Sequence, residues 1–168
     1  MKTILLIEDD RILRENTAEL LELSGYQVFT SANGKIGIES AKEKLPDIIV
    51  CDIMMPEVDG YGVLEALSSN ESTQHIPFIF LSAITEHKAV RKGMDLGADD
   101  YLTKPFEEED LMSAIESRMA KAKILQQITT NNEVMVKDPD EIGNLNQLKN
   151  YFDDSGEILN IKEGDTIY

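Results

Sequence analysis

Short apolar runs rich in β-branched and aromatic residues alternate along the chain with longer stretches whose apolar positions recur at helical spacing. The first run is KTILLI at 2–7, and Arg11 to Leu23 follows with Leu13, Thr17, Leu20 and Leu21 on one face. Next come YQVFT at 26–30, a helix from Gly34 to Leu45, DIIVC at 47–51, a helix around Gly62 to Leu67, and PFIFL at 77–81. Thr85 is placed to cap a helix reaching Leu96, YLT at 101–103 makes a short strand, and Glu107 opens a last helix. The acidic start of that helix, EEED, suits the positive end of a helix dipole.

Five strands alternating with five helices predict a parallel sheet covered on both faces, which is also what runs as uniformly apolar as DIIVC and PFIFL require. The expected architecture is a doubly wound, flavodoxin-like α/β fold, its five-stranded parallel sheet ordered 2-1-3-4-5. In that order strands 1 and 3 are neighbours at the switch point, where the carboxyl ends of the strands form a crevice.

The chemistry gathers at those ends. The first strand runs directly into Glu8, Asp9 and Asp10, and the third ends at Asp52. Glu8, Asp9 and Asp52 converging on one crevice repel one another and lose water, so the ionised forms need a cation. An all-oxygen set favours magnesium, which keeps several of its waters. Calcium suits it less, since no aspartate-rich, glycine-centred loop is present, and neither His75 nor His87 has a second ligand at metal spacing. Those histidines read as surface or packing residues. Ser82 follows the fourth strand, Lys104 the fifth, and MPEVDG forms a turn-rich loop after the third. A hydroxyl, an ammonium and a cation around one carboxylate suit a transferred phosphoryl group, which needs positioning and charge neutralisation more than a proton relay.

Each residue alone has a plainer reading. Ser82 could end a strand or cap a helix, Lys104 could be solvated, Tyr101 could be half-buried core, and Asp9 or Asp10 could cap the first helix. Gly60 and Gly97 read as turn and helix-end glycines. Their joint occurrence favours a site.

The set IEDD, DIMMP followed by DG, LSA and GADDYLTKPF, in this order and spacing, closely resembles the receiver domains of bacterial two-component response regulators over residues 1–123. The resemblance implies that Asp52 is the phosphoacceptor, that Asp9 ligates magnesium directly and Glu8 through water, and that the Met54 main-chain carbonyl is a further ligand. It makes Ser82 the switch hydroxyl, Lys104 the phosphate-binding lysine, and Tyr101 the aromatic that turns inward on activation. It also implies a cis bond between Lys104 and Pro105, and places Met54 and Ile84 where side chains tune the lifetime of the phosphoryl group. The expected function is a signalling switch rather than an enzyme, one that assists its own phosphorylation and dephosphorylation. A sensor histidine kinase or phosphotransfer protein is the expected donor. A homodimer is the expected output form, because Ile124, Leu125 and Ile128 continue the last helix past the sheet it could cover.

Composition narrows the setting. A chain of 168 residues holds one domain and an appendage. Its net charge of −16 argues against direct nucleic-acid contact by these residues. Cys51, the one cysteine, permits no internal disulfide and reads as a small buried hydrophobe. No stretch has the roughly 18 apolar residues of a membrane span, and Met1 to Leu6 is too short for a signal peptide, so the expected location is cytoplasmic.

After Gln127 the periodicity fails, and residues 124–144 read as a helix extension and linker. Residues 145–168 read as a tail with a short helix from Leu145 to Tyr151, a DDSG turn and a strand at EILNI. YFDDSGEILNIKEGDTIY resembles the opening of the β-roll in cyclic-nucleotide-binding domains of the catabolite-activator type, which would make the chain part of a transcriptional regulator. A polar extension of a stand-alone receiver is the other reading. Two further classes fit poorly. A haloacid-dehalogenase-type phosphatase needs a second aspartate where Met54 stands, and a flavodoxin-like electron carrier needs a phosphate-cradling loop where this chain has acids.

Overall fold

The computed structural model describes residues 1–136, with side chains described through residue 128. Its strands are β1 (Thr3–Ile7), β2 (Gln27–Ser31), β3 (Ile48–Cys51), β4 (Phe78–Ser82) and β5 (Asp100–Thr103). Between and after them lie α1 (Arg11–Leu23), α2 (Gly34–Lys44), α3 (Gly60–Ser68), α4 (His87–Asp95) and α5 (Glu108–Val136). The strands form one parallel sheet ordered β2-β1-β3-β4-β5, as the alternation predicts.

Side chains alternate across this sheet, so each central strand serves two cores. Leu5, Ile7, Ile49, Cys51, Phe78 and Phe80 pack on one side with Ala41 of α2 and Val63, Leu64 and Leu67 of α3. Ile4, Leu6, Ile48, Val50, Ile79 and Leu81 pack on the other with Leu21 of α1 and Leu111, Ala114 and Ile115 of α5. β3 and β4 are buried at every position, which is why their sequences carry no polar alternation. On α1 the predicted face is realised, with Thr17 and Leu21 buried and Leu13 and Leu20 half-buried.

Three helices start on side-chain caps: Asp10 accepts from the Leu13 amide, Asn33 from Ile36, and Asp59 from Gly62. α4 differs. Its cap position is Glu86, which makes no side-chain cap bond, and Thr85 lies one residue too early to serve. Gly97, at φ 108°, follows the end of α4 as a helix-end glycine should. Gly60 is a correction. It is the first residue of α3 rather than a turn residue, and a Cβ there would run into the Asp52 carbonyl oxygen.

One compact unit is Met1–Ala122. The unit from Lys123 onward is described only as helix, since α5 runs to Val136. The helix therefore continues past Gln127, where the periodicity fails. Threonine and asparagine in TTNN are weak helix formers but not breakers, and no glycine or proline lies between Glu108 and Pro139. The readings of the tail, including its resemblance to a cyclic-nucleotide-binding domain, fall outside the described residues. No helix among the described residues is long and apolar enough to cross a membrane.

Candidate functional site

The sheet brings the acids together by register. Ile7 pairs with Cys51, so Glu8 and Asp52 leave adjacent strands on the same rung. Two main-chain bonds carry the ladder past the strand ends, from Asp52 N to Ile7 O and from Glu8 N to Ser31 O, both 3.0 Å. One carboxylate oxygen each of Glu8, Asp9 and Asp52 then lies within 4.8 Å of the others. Glu8 and Asp52 are buried, at 3% and 6% exposure, while Asp9 faces solvent.

Lys104 enters from β5. Its Nζ is 2.8 Å from Glu8 Oε1 and 3.5 Å from Asp52 Oδ2. The Lys104 amide donates to the Ser82 carbonyl at 2.8 Å, which fixes where its side chain starts. The Lys104–Pro105 peptide is cis, as the resemblance implies. Asp52 Oδ1 accepts from the Ile53 amide at 2.8 Å, so one oxygen is tied to the backbone and the other turns toward the lysine. Met54, two residues on, sits in the following loop with its side chain exposed.

One ammonium among three carboxylates leaves the site short of positive charge. Burial pushes the Glu8 carboxyl from its ordinary 4.5 to about 7, even though hydrogen bonds from Lys104 and the Asp10 amide pull the other way; the Asp52 charge adds to the rise. Three oxygen donors with no nitrogen or sulfur among them fit a hard divalent cation that retains water.

Ser82 is fully buried at the end of β4, where its Oγ accepts from the Ile84 amide at 3.2 Å. The Tyr101 hydroxyl donates to the Ile84 carbonyl at 2.8 Å, and its ring lies 6.0 Å from that of Phe80. Tyr101 is thus half-buried and tied to the loop that Ser82 also holds. Burial pushes its hydroxyl pKa up, with Ser82 opposing and the Asp52 charge adding to that rise. Cys51 is a free, buried thiol beside Asp52, donating to the Asp52 carbonyl at 3.1 Å. His75 and His87 are exposed and remote in role from the acids.

Sequence reasoning missed Arg14. From the second turn of α1 its Nη1 donates to the carbonyls of Glu8, at 2.8 Å, and Asp9, at 3.4 Å, pinning the loop that carries both acids. Nothing in the sequence separates this arginine from a solvated helix residue. It also missed what Gly60 does for Asp52, since a glycine after an aspartate reads first as a turn.

This arrangement defines a class. The response regulator receiver domain family matches residues 4–116, and the chain belongs to that family. It is 34% identical over 139 residues to the DNA-binding dual master transcriptional regulator RpaA of Synechocystis sp., covering 83% of this chain and 58% of RpaA. The chain thus spans little more than half the length of that relative. A putative response regulator from Chloroflexus aurantiacus superposes with a TM-score of 0.68 at 31% identity, covering 71% of this chain and 98% of its own. The receiver domain of a sensor histidine kinase from Pseudomonas aeruginosa, solved with magnesium coordinated in its active-site cleft, superposes at 0.67 with 28% identity, covering 71% of this chain and 98% of that one. Membership sets aside the phosphatase and electron-carrier readings.

Proposed function

We propose that Asp52 accepts a phosphoryl group from a histidine kinase or phosphotransfer protein and that the chain converts this event into a change of its α4, β5 and α5 face. The observation that carries the reading is the Asp52 carboxylate itself, buried, with Oδ1 fixed by the Ile53 amide and Oδ2 facing Lys104. Oδ2 is the nucleophile: it forms the O–P bond as the P–N bond to the donor histidine breaks, and the imidazole leaves with the electron pair. Lys104 exchanges Glu8 for a phosphoryl oxygen, and the Ser82 hydroxyl donates to another. Asp9, Asp52, the Met54 carbonyl and, through water, Glu8 would hold magnesium, which when bound neutralises charge spreading onto the phosphoryl oxygens.

Attack by water on phosphorus breaks the O–P bond, releasing inorganic phosphate and restoring the Asp52 carboxylate, so the domain assists both its loading and its unloading without acting on another substrate. Met54 and Ile84, two residues beyond Asp52 and Ser82, would limit the approach of that water. We place this chemistry in the cytoplasm, a setting that suits a protein whose only cysteine is a free thiol.

Drawing Ser82 toward the phosphoryl group gives up its bond to the Ile84 amide and shifts the loop to which Tyr101 is tied. With magnesium and a small acyl phosphate, intact mass spectrometry should show one hydroxylamine-labile phosphoryl group on wild type and none on Asp52→Asn. Labelling of Asp52→Asn at the wild-type level, or undiminished labelling of wild type in excess chelator, would remove the assignment.

The output we infer is a homodimer within a transcriptional regulator. Ile124, Leu125 and Ile128 of α5 are 56%, 54% and 50% exposed, a run of apolar surface that suits a second helix. That RpaA is named a transcriptional regulator supports the second half of the reading. Sedimentation should show a dimer strengthened by a beryllofluoride phosphoryl mimic and weakened by truncation after Lys123. A monomer in both states at high concentration would favour a receiver that acts by binding a different protein.

A further inference from the structure

α4 has little of its own to hold it. At nine residues, His87–Asp95, it is shorter than helices that persist alone, it lacks a side-chain cap, and its only buried residue is Gly93. Gly93 allows close approach: a Cβ there would lie 3.0 Å from the Phe80 ring and 3.4 Å from Tyr101. One residue of α3 also fixes the helix, through two contacts. The Tyr61 hydroxyl donates to the Ala89 carbonyl at 3.1 Å, and the Lys92 ammonium sits 4.3 Å above the Tyr61 ring. That ring meets Phe80 edge to face at 5.5 Å, and the Tyr101 ring lies 6.0 Å from the same Phe80.

Two tyrosines thus contact one phenylalanine and each holds a carbonyl near the start of α4, Tyr101 at Ile84 and Tyr61 at Ala89, five residues apart. We propose that Tyr61 is a positioning residue that latches α4 from the α3 side, and that this latch limits how far the α4 face moves when Asp52 is phosphorylated. The second half rests on the phosphoacceptor reading above; the first does not. A tyrosine serves here better than leucine because the hydroxyl supplies the tie and the ring face supplies the seat for Lys92. The latch acts on a main-chain carbonyl and a flexible ammonium, so it holds α4 in place without dictating the identity of its outward side chains.

Amide hydrogen exchange of the full chain tests the latch in the absence of phosphate. Tyr61→Phe keeps the ring and removes only the hydroxyl, and amides from Val90 to Gly93 should exchange about fivefold faster while β1 and β3 amides do not change. Lys92→Met, which removes the ammonium from the ring, should accelerate the same amides about twofold. Unchanged exchange in Tyr61→Phe, or an equal acceleration across every element, overturns the latch. With beryllofluoride, α4 amide chemical shifts should move further in Tyr61→Phe than in wild type, and equal displacement overturns the coupling. A wild type that binds no beryllofluoride would instead sink the phosphoacceptor reading, leaving the latch to stand or fall on exchange.

Discussion

The end of β1 and the helix α4 both belong to the switch proposed above, yet they are built in opposite ways. The loop after β1 is tied from several sides: Arg14 holds two of its carbonyls, Glu8 Oε2 accepts from the Asp10 amide at 3.1 Å, and Asp10 caps α1. α4 has no cap, one buried glycine and two tyrosine hydroxyls near its start. Phosphoryl transfer demands fixed geometry, so the chemical end stores its order in many bonds, whereas a part that must move cannot be held by many. The difference shows where the chain keeps rigidity and where it spends it.

The largest expected effect breaks the rigid end. Gly60→Ala drives a Cβ into the Asp52 carbonyl oxygen and to 2.8 Å from the Ile53 Cα, both main-chain atoms that cannot turn aside. It should cost roughly 3 to 4 kcal/mol in urea unfolding and impair labelling of Asp52. Wild-type stability in Gly60→Ala would show that the loop is soft.

A smaller effect reports the charge shortage. Glu8 holds its proton up to about 7 when folded, against an ordinary 4.5, so the folded state binds more protons between those values and stability falls as pH rises through that window. In chelator, wild type should lose about 2 to 3 kcal/mol between pH 4.5 and pH 8, with the loss complete above 7, and Glu8→Gln should lose much less. Equal slopes would mean that the carboxyl is not raised.

The smallest effect lies at the loose end. Tyr101→Phe should cost about 1 kcal/mol and expose the amides around Ile84, leaving the β1–α1 loop unaltered. Disturbance of both regions would erase the contrast between them.

How much of this was legible in the sequence follows the same division. Strand runs, their alternation with helices and the acids at strand ends are local signals, and they led directly to the sheet order and to the meeting of Glu8, Asp9 and Asp52. Contacts that cross between elements carry no such signal. Tyr61 reaches a carbonyl 28 residues on, and Gly60 reads as a turn until the Asp52 carbonyl appears beside it. The extent of α5 was misjudged because weak helix formers look like loop when their tertiary setting is unknown.

Parallel register has a further consequence for the site, in terms of measurement rather than contact. Ile7 faces Cys51, Cys51 faces Phe80, and Ser82 faces Thr103, so each strand delivers its functional residue by counting rungs from a shared baseline. Deleting one residue from β3 would carry Asp52 back by about 3.3 Å and turn its side chain to the opposite face of the sheet, with every side chain of the site still present in the sequence. The sheet is a ruler, and the site is a reading taken on it.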